Sequence, residues 1–255
     1  MGVSVLNETR AFRPAILIPV YNHEEAIKQT LLGVLNYEYP ILLVDDGSDS
    51  ACRNALVLLA NKYPDQISLI RLKTNGGKGA AVKAGFRRLY DMGYSHALQV
   101  DADGQHDLSD LPRFIKAGEE DMDALISGCP KYDASMPKGR YYSRYLTHVW
   151  VWINTLSLEI KDSMCGFRLY PLVDTIALID KTPCGDRMDF DVEIIVRWLW
   201  RGGRVKSLMT HVHYPVGGIS HFKAVRDNVL ISWMHTRLFF GMLVRLPLIL
   251  GRKFK

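Results

Sequence analysis

The chain has 255 residues, a formal net charge of +5 and 48% hydrophobic residues, which suits one globular domain, or one domain with a small appendage, and excludes a disordered or fibrous chain. Its four cysteines are scattered and form no C-x-x-C pair, so we expect reduced thiols in a cytoplasmic protein rather than a zinc site or a disulfide framework. The basic residues form no evident stripe, so no nucleic-acid partner is expected, and the opening letters MGVSVLNETRAFRPA lack the apolar core of a signal peptide.

The first half of the chain alternates between short apolar runs and segments with helical spacing. Strands that are apolar throughout and separated by helices indicate an α/β fold with a mostly parallel central sheet and helices on both faces. In such sheets ligands bind at the carboxyl ends of the strands. The predicted strands are 15–20, 39–48, 66–72, 96–104 and 123–129, and the predicted helices are 22–36, with Asn22 as a possible N-cap, 51–63, 77–93 and 108–120.

The second half is less regular. It predicts a basic, aromatic helix at 137–162, a short strand at 164–170, a helix at 190–203, a strand at 204–216 and an apolar, basic helical segment to the end. Residues 229–250 are the best candidate for a membrane span, but four polar, charged or proline residues interrupt them: His235, Arg237, Arg245 and Pro247. These interruptions and the basic C-terminus favour a helix lying on a membrane surface, or a core helix.

Acidic side chains follow two of the predicted strands. Asp45 and Asp46 end one strand, and Asp101 and Asp103 end another, so all four are expected to converge on one crevice. The spacing of Asp101 and Asp103 is typical of a site for a hard divalent cation, which takes one or two carboxylates and leaves its other positions to water and phosphates. An acidic turn or a helix cap is the alternative interpretation.

Two further motifs indicate a nucleotide. In VDDGS, Asp45 or Asp46 could accept hydrogen bonds from a nucleobase or a ribose, although the following Ser48 and Asp49 are also suited to capping a helix. In NGGKGAA, Lys78 beside exposed backbone N–H groups suits a phosphate, but the order of residues does not match a P-loop, and a plain glycine turn is the alternative.

The ordered motifs PVYNHEEAI, LLVDDGSDS, NGGKGAAVKAGF, VDADGQH and DSMCGFRLY resemble family 2 glycosyltransferases, most of all the dolichol-phosphate mannose synthase branch. The resemblance covers roughly residues 13–222. It implies a GT-A fold, a UDP- or GDP-sugar donor, Mg²⁺ or Mn²⁺, and inversion at the anomeric carbon.

The resemblance also implies roles for individual residues. The nucleoside would be framed by Pro19, Tyr21, Asn22 and Glu24, its base would be contacted by Asp46 or Asp45, and the loop on the nucleotide side would be formed by Lys78 and Gly79. The ribose and the sugar would be contacted by Asp101 and Ala102. The metal would be held by Asp103 and Gln105, and Arg168 would lie near the phosphates or the acceptor.

The chain departs from the pattern in two places. In MDFDVE, Asp191 stands where the branch has an amide, and it could serve as the general base for a hydroxyl acceptor, with Asp189 as a weaker choice. The alternative is an acidic helix N-terminus stabilised by the macrodipole. In YPVGGISHF, His221 replaces a basic residue in an expected mobile loop, where it would touch a phosphate or the acceptor, or be an ordinary surface histidine.

These features predict a catalytic domain over 1–222 and an amphipathic tail over 223–255. The expected enzyme is a metal-dependent inverting glycosyltransferase that acts on a lipid-type acceptor, either a polyprenyl phosphate or a lipid-linked hydroxyl. It would be cytoplasmic, with peripheral contact on the cytoplasmic face of the membrane. The rivals are a non-catalytic carbohydrate- or nucleotide-binding module and a sugar nucleotidyltransferase, whose glycine- and arginine-rich first loop is missing here.

Overall fold

The computed structural model describes residues 11–132, 138–212 and 222–253. Within them, the strands are β1 (Pro14–Val20), β2 (Ile41–Asp45), β3 (Ile67–Arg71), β4 (His96–Gln99), β5 (Leu125–Tyr132), β6 (Arg168–Pro171) and β7 (Val205–Val212). All seven belong to one mixed sheet in the order β3-β2-β1-β4-β6-β5-β7.

Helices cover both faces of this sheet. Successive side chains of a strand point to opposite faces, so Leu17 and Ile18 of β1 belong to two different clusters of buried apolar residues. Both side chains are completely buried. The helices within the described residues are α1 (Ala26–Leu35), α2 (Ser50–Lys62), α3 (Lys78–Asp91), α4 (Leu111–Glu120), α5 (Lys138–Thr155), α6 (Leu172–Lys181), α7 (Phe190–Trp200) and α8 (Ala224–Lys253).

The sheet is parallel except at one strand. β1 pairs in parallel with β2 and β4, β2 with β3, and β5 with β7, which confirms the mostly parallel α/β fold. β6 lies antiparallel between β4 and β5, with Gln99 opposite Arg168. Because β6 is reversed, the segment that precedes it arrives at the carboxyl edge of the other strands, beside the acidic strand ends.

Several element boundaries differ from the expectation. β4 ends at Gln99, so the acidic motif after it is a loop, and α6 was not predicted. α1 begins at Ala26 rather than at Asn22, whose φ of +49° is not helical. The Asn22 side chain instead accepts a hydrogen bond from the Asp49 backbone N–H at 2.9 Å, and Asp49 caps α2 by accepting from the Cys52 N–H.

The long helix α8 lies along the domain. Among the described residues, the segment Val225–Arg252 is long and apolar enough to cross a membrane by length and composition. One face of it is packed into the core through Met234, Leu238 and Met242, and Pro247 lies inside the helix. The opposite face is exposed.

Candidate active site

The end of β2 organises the first part of the site. Asp45 is 1% exposed and forms an ion pair with Arg71, and it also accepts a hydrogen bond from the Ser48 N–H at 2.8 Å. These contacts fix the turn between β2 and α2. Asp45 is therefore bound to its own strand and turn, whereas its neighbour Asp46 points to the glycine-rich loop.

Asp46 holds the loop that leads into α3. Its two carboxylate oxygens accept hydrogen bonds from the N–H groups of Gly76 and Gly77, each at 2.8 Å. Gly77 has a φ of +104°, a conformation that favours glycine. Burial raises the pKa of Asp46 above its usual value, although the two amides oppose that shift. The loop is thereby placed with Lys78 directed toward β4.

Lys78 joins the carboxylates of two distant segments. Its ammonium lies 2.8 Å from Asp101 Oδ1 and 2.8 Å from Asp191 Oδ2, and Gln99 Nε2 donates to Asp191 Oδ1 at 3.3 Å. Burial alone would raise the pKa of Asp101, yet Lys78 and the neighbouring His106 hold it well below its usual range. The same carboxylates raise the pKa of Lys78 above its usual value, against the effect of burial. Lys78 and Asp101 are therefore both charged at neutral pH.

The loop after β4 lines a small pocket of about 60 Å³. Asp103 Oδ1 accepts a hydrogen bond from the Gln105 N–H at 3.1 Å, and the His106 ring stacks on Phe167 with 5.2 Å between centroids. The described residues contain no group of three or more His, Cys, Asp or Glu side chains that could hold a metal ion. The pocket is lined by Asp101, Asp103, Gln105, His106, Pro130, Arg144, Met164, Cys165, Gly166 and Val212.

The segment before β6 closes this pocket. Asp162 is 4% exposed and accepts hydrogen bonds from the N–H groups of Met164 and Cys165 at 2.8 and 2.7 Å. Arg144 Nη2 donates to both oxygens of Asp162, at 3.0 and 2.9 Å. Burial would raise the pKa of Asp162, but Arg144 keeps it far below its usual range. Asp162 thus fixes both the segment and a guanidinium that lines the pocket.

Sequence analysis missed Arg144 and Asp162. The run PKGRYYSRY signalled a basic helix, and DSMCGFRLY was quoted as a motif, but neither pattern shows that the two segments meet. They do so because β6 is reversed and α5 packs beside its leading segment.

The structure separates the two residues expected to be catalytic from the pocket surface. Arg168 is completely buried, with Nη1 donating to the Asp191 carbonyl oxygen at 2.6 Å and Nε to Ser127 Oγ at 3.1 Å. Asp191, in the first turn of α7, is 5% exposed. Arg168 therefore supports Asp191 from below, and neither side chain is among those that line the pocket.

The other expected residues occupy varied positions. Pro19, Tyr21 and Glu24 are half-buried at and after the end of β1, next to the ends of β2 and β4. Ala102 is buried, and its carbonyl accepts from Thr30 Oγ1 at 3.4 Å. Gly79 is buried in the first turn of α3. His221 lies outside the described residues.

A larger cavity of about 360 Å³ lies at the opposite, amino-terminal edge of the sheet, lined by Trp198, Arg201 and Arg204 among others. Arg204 is paired with Asp121, and Arg201 donates to the Asp174 carbonyl. The carboxyl edge is the stronger candidate because it gathers carboxylates, a lysine and a glycine-rich loop where α/β sheets bind ligands.

The whole fold is shared with a solved enzyme. The chain is similar to glucosyl-3-phosphoglycerate synthase from Mycobacterium tuberculosis, with a TM-score of 0.64 at 11% identity, over 92% of this chain and 79% of that one. That solved structure holds Mn²⁺, uridine-diphosphate-glucose and phosphoglyceric acid. The shared fold is of the GT-A type.

The family follows from sequence comparison. Residues 15–186 match the model of glycosyl transferase family 2, and the chain belongs to that family. It is 31% identical to dolichyl-phosphate beta-glucosyltransferase of Dictyostelium discoideum over 71% of this chain, and 29% identical to polyprenol monophosphomannose synthase of Mycolicibacterium smegmatis over 62%. The chain spans 60% and 61% of the length of these two relatives. The expectation of a glycosyltransferase is confirmed.

Proposed function

We propose that this enzyme transfers a sugar, with inversion and with the help of a divalent metal, from a UDP- or GDP-sugar to a polyprenyl phosphate. The observation that supports the proposal most is the Lys78 ammonium held between Asp101 and Asp191, beside the pocket of Asp103, Gln105 and Arg144. This arrangement offers cations to phosphates and carboxylates to a metal and to sugar hydroxyls within one crevice.

The donor would lie across the carboxyl ends of β2, β1 and β4. Asp46 and the loop it holds would face the base, with Pro19, Tyr21 and Glu24 framing the nucleoside from β1. Asp101 and Ala102 would meet the ribose and the sugar. The named ligand of the solved structural neighbour, uridine-diphosphate-glucose, is consistent with a uridine donor.

Asp103 and Gln105 would hold the metal. One carboxylate and one amide, with water and the donor diphosphate completing the shell, suit Mg²⁺ or Mn²⁺ because these hard cations keep several water and phosphate ligands. Because the described residues contain no cluster of three or more metal-binding side chains, they suit an ion that is also bound by the nucleotide better than an ion bound by side chains alone. When bound, such an ion neutralises charge that develops on the leaving diphosphate.

The position of Asp191 favours a phosphate acceptor over a hydroxyl. A hydroxyl needs a general base that reaches it, but Asp191 is 5% exposed and lies 2.8 Å from the Lys78 ammonium. A phosphate monoester, with a second pKa of about 6, is already ionised and needs no base. We therefore assign Asp191 the role of a counter-ion that positions Lys78. The names of the two polyprenyl-phosphate relatives agree with this acceptor class.

The enzyme would act at the cytoplasmic face of a membrane. α8 and α5 carry exposed aromatic and aliphatic side chains, including Trp233, Phe240 and Tyr145. Because α8 is also packed into the core, we propose that it lies on the membrane surface rather than crossing it.

Nucleotide binding and acceptor choice test the proposal separately. We expect one of UDP and GDP to stabilise the protein thermally in the presence of Mn²⁺, and the stabilisation to be lost in Asp103→Asn. Asp107→Asn is the matched control, since Asp107 lies in the same loop but outside the pocket. Its carboxylate accepts a hydrogen bond from the Ser109 N–H. Absence of a shift with either nucleotide would contradict a donor site and favour a non-catalytic module.

For the acceptor, we expect transfer of labelled sugar to undecaprenyl phosphate and none to undecaprenol. Asp191→Asn should weaken donor binding while leaving the pH dependence of turnover unchanged. A loss of about 10²–10⁴ in kcat, together with loss of the acidic limb of the pH profile, where a base becomes protonated, would instead indicate a general base and a hydroxyl acceptor.

A further inference from the structure

Glu193 is a buried charge with an unusual set of partners. It is completely buried in α7 and accepts hydrogen bonds from Arg197 Nη2 at 2.6 Å and from the Gly185 N–H at 2.7 Å. Arg237 Nη2 of α8 donates to the same oxygen as Gly185, at 3.3 Å. A buried carboxylate is tolerated when it is paired and hydrogen-bonded in this way. Glu193 therefore joins α7, α8 and the segment that precedes α7.

That segment, residues 184–187, packs directly on the glycine-rich loop. The Asp186 carbonyl accepts a hydrogen bond from the Ala80 N–H at 2.9 Å, and Arg187 Nη1 donates to Asn75 Oδ1 at 3.3 Å. A Cβ added at Gly79 would lie 2.7 Å from the Gly185 carbonyl oxygen, so the two backbones are in van der Waals contact. Any shift of segment 184–187 would therefore be transmitted to the loop that carries Lys78.

α7 supports the same loop from two directions. Asp191 binds the Lys78 ammonium directly, whereas Glu193 acts through Gly185. Lys83 of α3 adds a third tie, since its ammonium donates to the carbonyls of Cys184 and Gly185 at 2.9 and 3.2 Å. The segment is thus held between α3 and α7, and the charge that completes its anchor comes from α8.

We propose that Arg237 and Glu193 are positioning residues for the donor loop, so that the docking of α8 on the domain sets the affinity of the site for a nucleoside diphosphate. The inference rests on the proposed donor site. Arg237 is well placed for this role because its side chain is one-third exposed, while its Nε is buried and has no hydrogen-bond partner among the described residues. Its guanidinium reaches from the exposed side of α8 to a fully buried carboxylate.

The test compares Arg237→Gln with Arg245→Gln. Arg245 is the matched control because it lies on the same helix, is half-buried, stacks over Trp200 at 5.0 Å and donates to the Gly241 carbonyl of its own helix. Binding of UDP and GDP with Mn²⁺ is measured by calorimetry, and amide hydrogen exchange is followed at Gly185 and Ala80. Arg237→Lys, which keeps a cation, is the conservative variant for rescue.

We expect Arg237→Gln to weaken binding of the preferred nucleotide about five- to tenfold and to speed exchange at Gly185 and Ala80. Arg245→Gln should leave both unchanged, and Arg237→Lys should recover part of the affinity. Equal effects of the two glutamine variants would mean that Arg237 contributes only to the general packing of α8, and this result would overturn the inference.

The exchange measurement keeps this result distinct from the donor assignment. If the wild type binds neither nucleotide, the proposed function fails, yet unchanged exchange at Gly185 in Arg237→Gln would still overturn the positioning role. If Arg237→Gln does not fold, the same exchange comparison is made on Arg237→Met, which removes the charge but keeps the apolar stem of the side chain. Exchange at Gly185 as slow as in the wild type, together with unchanged nucleotide affinity, would then also contradict the inference.

Discussion

The carboxylate of Asp101 is enclosed on three sides. Lys78 lies on one side of it, His106 Nε2 lies 3.5 Å away on another, and the backbone of Gly166 closes a third. A Cβ at Gly166 would lie 2.4 Å from Asp101 Oδ2, closer than atoms can approach. A glycine is therefore needed at position 166 because the Asp101 carboxylate approaches its backbone closely. The glycine serves the geometry of the site rather than the stability of the strand.

This contact leads to a prediction for Gly166→Ala. The methyl group would displace the Asp101 carboxylate and with it Lys78, and a misplacement of about 1 Å can reduce turnover about 100-fold. Sugar transfer and nucleotide binding are measured alongside the thermal midpoint. Gly251→Ala is the control, since no atom lies within 4 Å of its added Cβ. Full activity in Gly166→Ala would mean that Asp101 does not need its present position.

At the scale of elements, α5 and α8 meet through a buried polar pair. His235 of α8 is 6% exposed, and its Nδ1 lies 3.3 Å from Asn154 Nδ2 of α5. The Asn154 carbonyl accepts from Trp200 Nε1 at 2.8 Å, which brings α7 into the same junction. Burial lowers the pKa of His235 to about 4. The helices are thus packed around a histidine that is neutral when the protein is folded.

The second prediction concerns acid stability. The pKa of His235 in the folded protein, about 4, lies below the usual histidine value of 6.5, so between these values the unfolded chain binds a proton that the folded protein does not bind. The contribution of neutral His235 to the free energy of unfolding is fully present above pH 6.5 and is lost as the pH falls toward 4. At pH 4 the loss amounts to about 3 kcal/mol.

Urea unfolding of the wild type and of His235→Gln between pH 7.5 and 4 checks this. The difference between the two proteins isolates His235, because other titrating groups are common to both. We expect the wild type to lose more free energy of unfolding than the variant below pH 6.5. Parallel pH profiles would show that His235 is protonated without cost in the folded protein.

At the scale of the whole molecule, the exposed apolar surface is concentrated on two adjacent helices. The ring of Trp150 on α5 lies 6.3 Å from that of Phe239 on α8, so the two helices present neighbouring faces. Exposed apolar side chains on α8 recur at intervals of four or seven residues, which places them on one stripe. The stripe consists of Val225, Val229, Trp233, Phe240, Val244 and Leu248.

The third prediction is that this stripe mediates peripheral membrane binding. Trp233→Glu and Phe240→Glu each remove an exposed aromatic ring from the stripe, and we expect each to weaken binding to phosphatidylglycerol vesicles about tenfold. Co-sedimentation with vesicles measures the binding. Leu58→Glu on α2 is the control, because Leu58 is also well exposed but lies on a different helix. Equal binding by all three variants would place the membrane contact elsewhere or nowhere.

Local patterns were sufficient for the first half of the fold. The apolar runs at Ile16, Leu43 and Leu98 predicted buried parallel strands, because a strand covered on both faces needs apolar residues at every position. The acidic positions Asp46 and Asp101 were predicted to meet because parallel strands share a carboxyl edge. The family was predicted from the order of five short motifs. Each motif consists of neighbouring residues, so it can be read without knowing the tertiary structure.

The partners of these side chains were decided by the tertiary structure. Nothing near Lys78 in the sequence shows that it is shared between Asp101 and Asp191, since the latter follows more than a hundred residues later. The same holds for Arg144 and Asp162, which meet where α5 packs beside the segment that leads into the reversed strand β6. Asp191 was a candidate base because a carboxylate stands where the resembled branch has an amide. Its burial and its lysine partner come from the packing of α7 against α3, an interaction between segments that no local pattern records.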